Sequence, residues 1–521
     1  MKNVKKAKKG DAKKGDVSTF LALDSRKVET SPFFEASLFP LKSRNVPLFR
    51  ILKEIYGFSK KRRLKFYLVG GLLRDLILGR QKENPDFDFA VKKGAIKTGR
   101  KLAKQIKAGF VVLDKGHGLC RLVKRIGRKT YTFDFSDFRG PSLQEDLKLR
   151  DFTINSMALE LEKAFCAEDI DSSLIDLYGA REDLKKGIIR VVSKASFSDD
   201  PLRILRAFSF ASILGFAIDK RTLALAKSQK VKLAGESSER VRDELFKVFD
   251  TDKTFDCFVA LDKLKILEII FPEIKKMRGI GQGPYHHLDV WQHTLESIRQ
   301  FDLLLKGIQD KEIIDYLEAV ISSGRKRKAL LKLGLFLHDI GKPAALRHEK
   351  GRTTFHGHER QGLKLGAGIA RRLKLSNDEL YSLHKMILWH LRPGYLADSK
   401  EPTPRAKFRY FRDAGREALS ILLLSLADQR ATKGPLTTAG ARKQHEKVVS
   451  GLIREYLGRA KEKQKARLAN GNDIMKKFKL TPSPLIGKIL SELEELQAIG
   501  KIRTKEEALK AAAKLVKPGK K

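Results

Sequence analysis

The sequence predicts an α+β protein, a mixed-sheet head followed by helical domains, and three observations carry that prediction. Between Pro40 and Leu161, short β-rich runs ("KFYLVGG", "FDFAV", "GFVVLD", "TYTFDFSDF") alternate with helical patterns such as "GLLRDLILG" and "RKLAKQIK". After Glu160 the strand signals fade, and from "SDDPLRILRAFSFASILGF" onward apolar residues recur at helical spacing almost to the end. A length of 521 residues is enough for three or four domains, each with its own core.

Taken in order, residues 1–39 form a basic arm. "MKNVKKAKKGDAKKGD" repeats a Lys-Lys-Gly-Asp theme and has almost nothing to bury. Residues 40–161 are the α/β head, 162–275 a helical neck, 276–432 a helical body and 433–521 a helical basic tail. "ISSGRKRKALLK" and "ADSKEPTPRAK" read as loops, and no repeat of solenoid period appears. In the tail, "KLTPSPLIGKIL" offers a helix N-terminus and nearby lysines to backbone phosphate, or simply packs as a small module.

Lys and Arg number 107 against 63 acidic residues, a formal net charge of +44. An excess this large costs self-repulsion unless a polyanion offsets it, so nucleic acid is the expected partner and an anionic membrane surface its rival. Cys120, Cys166 and Cys257 are too few for a disulfide framework and too far apart for a local metal pair, which fits a reducing cytoplasm. The longest apolar runs, such as "ALSILLLSLA", are about half of what a membrane span needs, and no signal or transit peptide is evident.

If "DFDFAV" is a strand, Asp86 and Asp88 project from one face, because side chains alternate with period two. Two carboxylates that close cost free energy unless a cation sits between them, and an all-oxygen site suits Mg²⁺. In two-metal phosphoryl transfer the ions clamp the attacking and leaving oxygens. Asp134 in "YTFDFSDF" is the candidate third acid, with Asp137 as the fallback. Gly70 and Gly71 fall between the strand "FYLV" and the helix "LLRDLIL", where backbone amides can approach a phosphate chain, or merely turn a strand into a helix. Arg74 and Asp75 follow one helical turn later and read alone as a surface pair.

In this order, "GGLLRD", "DFDFAV" and "LRDFTINSMAL" resemble the class II tRNA nucleotidyltransferase and bacterial poly(A) polymerase family, over about Phe66 to Phe249. The resemblance implies a nucleotidyltransferase-type head. In it Asp86 and Asp88 hold the metal ions, Gly70, Gly71 and Arg74 belong to the nucleotide site, and Arg150 and Asp151 contact the ribose and triphosphate. Leu149 stands where the family usually has Arg. "SDDPLRILRAF" reads by itself as a helix start, with Asp200 as N-cap and Pro201 at the first helical position. The resemblance instead turns Asp200 and Arg203, beside Arg206, toward the incoming base. A carboxylate accepts from the exocyclic amine that C and A share, and Arg donates to ring acceptors. Where the family often has Glu, this chain has Asp199. "ESSERVRDELFKVF" resembles the later neck motif and offers Arg240 as an RNA contact, or is an amphipathic helix laced with charge pairs.

A second constellation lies in "VWQHTLESI", "LGLFLHDIGKP" and "SLADQRA", with His293, the His338–Asp339 pair and Asp428 on separate helical segments. Read locally, "HDIGKP" is no more than a helix end. The four ligands in this order resemble the HD phosphohydrolase domain, which implies a divalent site, transition metals included. His358 is the candidate for extending it, while His356, His384 and His390 are weighed and not adopted.

These readings together imply a template-independent enzyme that joins CTP- and ATP-derived nucleotides to the 3′ end of tRNA with Mg²⁺, in the cytoplasm and away from membranes. Addition of A only, of CC only, or of poly(A) stays open. So do an HD phosphohydrolase with an RNA-binding head and a basic RNA-binding scaffold.

Overall fold

The computed structural model describes residues 46–80, 85–166, 170–349, 351–399, 401–461 and 466–516. The basic arm expected at 1–39 lies outside the described residues. Two compact units are present, one of Met1–Val248 with Asp256–Ile270, the other of Phe249–Phe255 with Phe271–Lys521.

The first unit is built on helix α1 (Val46–Lys61), strand β1 (Tyr67–Val69), helix α2 (Gly71–Ile77), strand β2 (Phe87–Val91), helix α3 (Ala95–Gln105), strands β3 (Gly109–Asp114), β4 (Leu119–Ile126) and β5 (Lys129–Asp137), helix α4 (Leu143–Lys148), and strands β6 (Met157–Glu160) and β7 (Ile175–Asp176). The strands form one seven-stranded sheet in the order β3-β4-β5-β2-β1-β6-β7. Only β2 and β5 run parallel; every other neighbouring pair is antiparallel, so the sheet is mixed as expected.

Period two sorts this sheet into a core face and a working face. Phe87 and Phe89 stack on Phe133 and Phe135 at centroid distances of 5.3 and 4.7 Å, and all four are buried. Burying each such ring stabilises the fold by roughly 2–3 kcal/mol. The β2–β5 register sets Asp88 opposite Asp134, which puts both carboxylates on the other face. α3 covers the core face, where Gly99 packs against Cys120 and Leu122.

The expectation that everything after Glu160 is helical is corrected in four places. β7 joins the head sheet, Ile188–Ile189 pairs with Ala217–Ile218, and two hairpins form at Val320–Lys326 and Arg347–Thr354. Ladders of two or three residues are too short to leave an alternating pattern. "ISSGRK", read as a loop, is a hairpin whose turn residues Ser323 and Gly324 both take positive φ, and a helix follows at once from Arg327. The neck helix also begins later than expected, at Arg203. Asp200 is extended and, of the backbone amides after it, its carboxylate accepts from Leu202 N, while Pro201 and Leu202 turn the chain.

The second unit's main helices include Val290–Gly307, Arg327–Leu337, His358–Arg372, Asn377–Trp389 and Ala418–Ala431. Asp289 caps the first and a Ser376/Glu379 capping box opens the fourth. A small apolar core built on Ile474, Ile489, Leu493, Ala508 and Ala512 holds the last three helices together. Buried Glu495 ties them to Arg405 and Arg409. Among the described residues no helix is long and apolar enough to cross a membrane.

Candidate functional site

The structure assembles two candidate sites, one in each unit. In the head, Gly70 takes φ 75° and ψ −142°, a conformation that any Cβ would strain. A Cβ there would also sit 3.3 Å from Asp88 Oδ2 and 3.5 Å from Arg150 Nη1. The glycine is what lets the strand-to-helix turn lie directly under the carboxylate. Burial and the neighbouring Asp134 push the Asp88 carboxyl up to about 6, against the pull of Arg150. A carboxylate raised in this way, by burial first and by a neighbouring acid second, is a site short of positive charge, which a divalent cation fits.

Asp86 precedes β2 and accepts a hydrogen bond from Thr132 Oγ1 at 2.7 Å. Asp134 faces Asp88 across the strand pair but is held by Arg121 through two bonds of 2.7 Å, so its charge is already balanced. The fallback Asp137 is removed from the site. It stands on the core face in register with Val91, and its Oδ1 caps α3 by accepting from Ala95 N at 2.6 Å.

Around this centre runs a buried polar network. Arg74 and Asp75 are not a surface pair: both are buried, and Arg74 bonds Asp75 Oδ1 and Asn155 Oδ1. Asn155 donates to Asp151, which also accepts from Arg206 at 2.7 and 3.1 Å. Against the cost of its burial, Arg206 and these hydrogen bonds hold the Asp151 carboxyl below its ordinary value. Arg206 continues to Glu244, and both Arg74 and Arg206 lie about 5 Å from the Phe210 ring. Asp151 therefore orients Arg206 and Asn155 from within the wall.

Arg150 pairs with Asp146 at 2.9 Å and keeps Nη1 near Gly70 and Asp88. Arg203 donates to the Leu149 carbonyl at 2.9 Å and to Ser196, with Asp200 3.9 Å from its Nε. Arg240, the expected RNA contact, forms a two-pronged bond with Asp200 at 2.8 and 3.0 Å. Sequence reading missed two members of this region. Glu244 hides in a helix that reads as charge-laced, and Arg139 comes from a segment with no motif. Arg139 donates to the Leu149 carbonyl at 3.4 Å, and burial together with Arg150 pulls its proton affinity down. Near Leu149, where the family usually has Arg, a guanidinium thus arrives from ten residues earlier.

In the second unit, His293, His338 and Asp428 form one ligand triad, and Asp339, His358 and His390 another; within each, the ligand atoms lie within 4.8 Å of one another. Asp339 links them, with Oδ2 3.2 Å from His338 Nε2 and Oδ1 3.3 Å from His358 Nε2. His338, His358 and His390 each donate Nδ1–H to the carbonyl three residues back, at 2.7, 3.0 and 2.7 Å, which turns each Nε2 toward the centre. Gly341 makes the convergence possible: a Cβ there would fall 2.0 Å from the His358 carbonyl oxygen. His338 Nε2 and Asp339 Oδ1 are buried with no hydrogen-bond partner among the described residues. Burial and the adjacent imidazoles drive His390 down to about 3, and against its own burial Asp339 carries His338 up to about 10. The residues fit a divalent pair.

His390, set aside in the sequence, therefore belongs with His358, while His356 and His384 do not enter either triad. Lys342 Nζ, 2.7 Å from Asp339 Oδ2 and 2.5 Å from Gln282 Oε1, and His286, packed edge-on against His293, were also missed. The spacing in "HDIGKP" was the available signal for the lysine.

Comparison with known proteins follows this layout. Residues 66–190 match the poly A polymerase head domain, 215–277 the "Probable RNA and SrmB- binding site of polymerase A", 290–433 the HD domain, and 445–513 a tRNA nucleotidyltransferase domain 2. An A-adding tRNA nucleotidyltransferase of Deinococcus radiodurans is 31% identical over 452 residues, 85% of this chain and 93% of the relative. A CC-adding tRNA nucleotidyltransferase of Synechocystis sp. is 28% identical over 453 residues, 86% and 93% of the two chains. The Thermotoga maritima CCA-adding enzyme, solved with tRNA, shares the fold at a TM-score of 0.59 and 22% identity, covering 94% of this chain and 98% of that one.

Proposed function

The chain belongs to the tRNA nucleotidyltransferase and poly(A) polymerase family, and from that premise we propose that it is a template-independent enzyme adding nucleotides from CTP and ATP to the 3′ end of tRNA, completing CCA. The observation that carries the reading is the under-neutralised Asp88 beside Asp86, set against Gly70 and Arg150. In this reading the ribose 3′-hydroxyl of the tRNA attacks the α-phosphate and pyrophosphate leaves. Asp86 and Asp88 would hold Mg²⁺, which when bound supplies charge neutralisation at the transferring phosphate. Gly70 lets the backbone come close to the phosphates, Arg150 directs a guanidinium at them, and the Arg74–Asn155–Asp151–Arg206 chain fixes the wall behind. Asp134 serves to set Arg121 and the strand pair unless it exchanges its guanidinium partner for an ion.

Base choice in this proposal belongs to Asp200 and Arg203. Arg240 and Leu202 N hold Asp200, and the Leu149 carbonyl and Ser196 hold Arg203, so both polar groups are positioned before a base arrives. The segment boundaries at 161/162, 275/276 and 432/433 are part of the same reading. The test is incorporation of labelled CTP and ATP into tRNA by the protein and its Asp86→Ala and Asp88→Ala variants. Loss of addition in both is expected; full activity in either removes the metal-holding role.

A second reading concerns the body, and the linked ligand triads, with His338 Nε2 and Asp339 Oδ1 buried without a hydrogen bond among the described residues, favour it. His293, His338, Asp339, His358, His390 and Asp428 would hold divalent transition-metal ions, which when bound supply Lewis acidity for phosphoester hydrolysis. Lys342, on Asp339, would keep that carboxylate ionised and oriented.

A further inference from the structure

α3 has two unlike faces. Ala95, Gly99, Leu102 and Ala103 are buried against the core face of the sheet. Lys97, Arg100, Lys101 and Lys104 occupy the opposite arc, all exposed, because spacings of three, four and seven return a helix to the same side. Together with Gly94 and Ile96 they line one open depression. From residue 92 to 107 the chain carries seven cations and no carboxylate. Among the described residues none of the four forms an ion pair; only Arg100 is engaged, its guanidinium 5.1 Å from the Phe110 ring. Asp137 is committed to the cap of α3 and Asp114 to His117.

The position of this face matters as much as its charge. Cys120 and Leu122, which α3 covers, pair in register with Phe135 and Phe133 on the core side. Asp88, Asp134 and Arg121 project from the other side of the same sheet. The cationic face therefore lies across the sheet from the carboxylates and cannot touch the reacting 3′ end or the triphosphate.

We infer that the outer face of α3 is a second RNA-docking surface, one that holds phosphate backbone remote from the end being extended. Four cations separated by seven helical steps in all span about 10 Å, along which one strand of a duplex presents about three phosphates at ~3.4 Å of axis each. RNA is favoured over an anionic bilayer because Leu102 of α3 is buried and the half-buried Ile96 is the one large apolar side chain of the helix beside the cations, too little apolar surface to enter a membrane. The inference rests on the proposal that this protein acts on RNA, and extends it to a face that the chemistry does not use.

The experiment compares full-length protein with the variant Lys97→Gln/Arg100→Gln/Lys101→Gln/Lys104→Gln, using fluorescence anisotropy of a duplex RNA with blocked 3′ ends across a salt series. At about 0.7–0.9 in slope per phosphate contact, the slope of log affinity against log salt should fall by about 2–3, with affinity near 100 mM salt reduced at least tenfold. An unchanged melting temperature controls for folding, and Lys101→Glu alone, expected to weaken binding severalfold, serves if the fourfold variant is unstable. Equal affinity and slope in both proteins would overturn the inference, as would loss of binding only to phosphatidylserine vesicles. Nucleotide addition to tRNA is assayed with the same wild-type preparation. If addition is absent the enzymatic reading fails, while the RNA comparison still decides the fate of the α3 surface.

Discussion

Replacing Asp88 by Asn should stabilise the metal-free head while destroying its chemistry. The Asp88 carboxyl sits at about 6 in the folded chain, raised first by burial and then by Asp134, against an ordinary value of 3.8. At 1.36 kcal/mol per pH unit, that gap corresponds to about 3 kcal/mol. The sign follows from where the proton is held. Below pH 4 both folded and unfolded chains are protonated and no penalty exists. Between 4 and 6 the folded chain keeps a proton that the unfolded chain has lost. Above 6 both are ionised and the fold bears the full cost, so this group's contribution to stability falls as pH rises through that window. Asn cannot ionise, so Asp88→Asn should exceed wild type by up to about 3 kcal/mol at pH 8, with the gain shrinking toward pH 4.5. Hydrogen exchange of the β2 and β5 amides in EDTA reads it locally, without assuming that both units unfold together. Saturating Mg²⁺ should then protect wild type and leave the variant unmoved. A variant less stable at pH 8, or a difference independent of pH, would refute the reasoning.

Two further substitutions separate the remaining roles. Arg203→Ala should erode discrimination between CTP and UTP by at least tenfold, with a smaller change in the inhibition constant of pyrophosphate; unaltered discrimination in steady-state competition would remove Arg203 from base reading. His338→Ala should abolish metal retention by the body, measured by plasma emission after gel filtration, together with any hydrolysis of a 2′,3′-cyclic nucleotide, while addition to tRNA continues. Hydrolysis at the wild-type rate in that variant would contradict the second reading.

What the sequence made legible was whatever rests on local periodicity or on a motif. The alternation in "FDFAV" and "TYTFDFSDF" fixed which side chains share a face, and the stacked phenylalanines with Asp88 opposite Asp134 follow from it. "LFLHDIGKP" placed His338 and Asp339 at a helix end, where they stand. Partnerships between distant segments were not legible. Nothing local says that Asp134 is taken by Arg121, that Asp137 turns away to cap α3, or that Arg240 is spent on Asp200. Tertiary pairing decides each of these, as it decides that Asp151 accepts from Arg206. His390 was weighed and not adopted because its helix reads as an ordinary amphipathic segment, and only packing brings the end of that helix to His358. The hairpins at Val320–Lys326 and Arg347–Thr354 were lost to brevity rather than to contrary propensity.

The central claim is tested most directly by giving the purified protein Mg²⁺, labelled CTP or ATP, and three tRNA transcripts ending before the CCA, after CC, or complete. The account predicts two C and then one A on the first transcript, a single A on the second, nothing on the third, and no addition without the divalent ion. Incorporation that is independent of divalent metal, or no incorporation into any transcript, would contradict it; label from ATP alone on the CC-ended transcript, or from CTP alone on the shortest, would restrict it to half of the reaction.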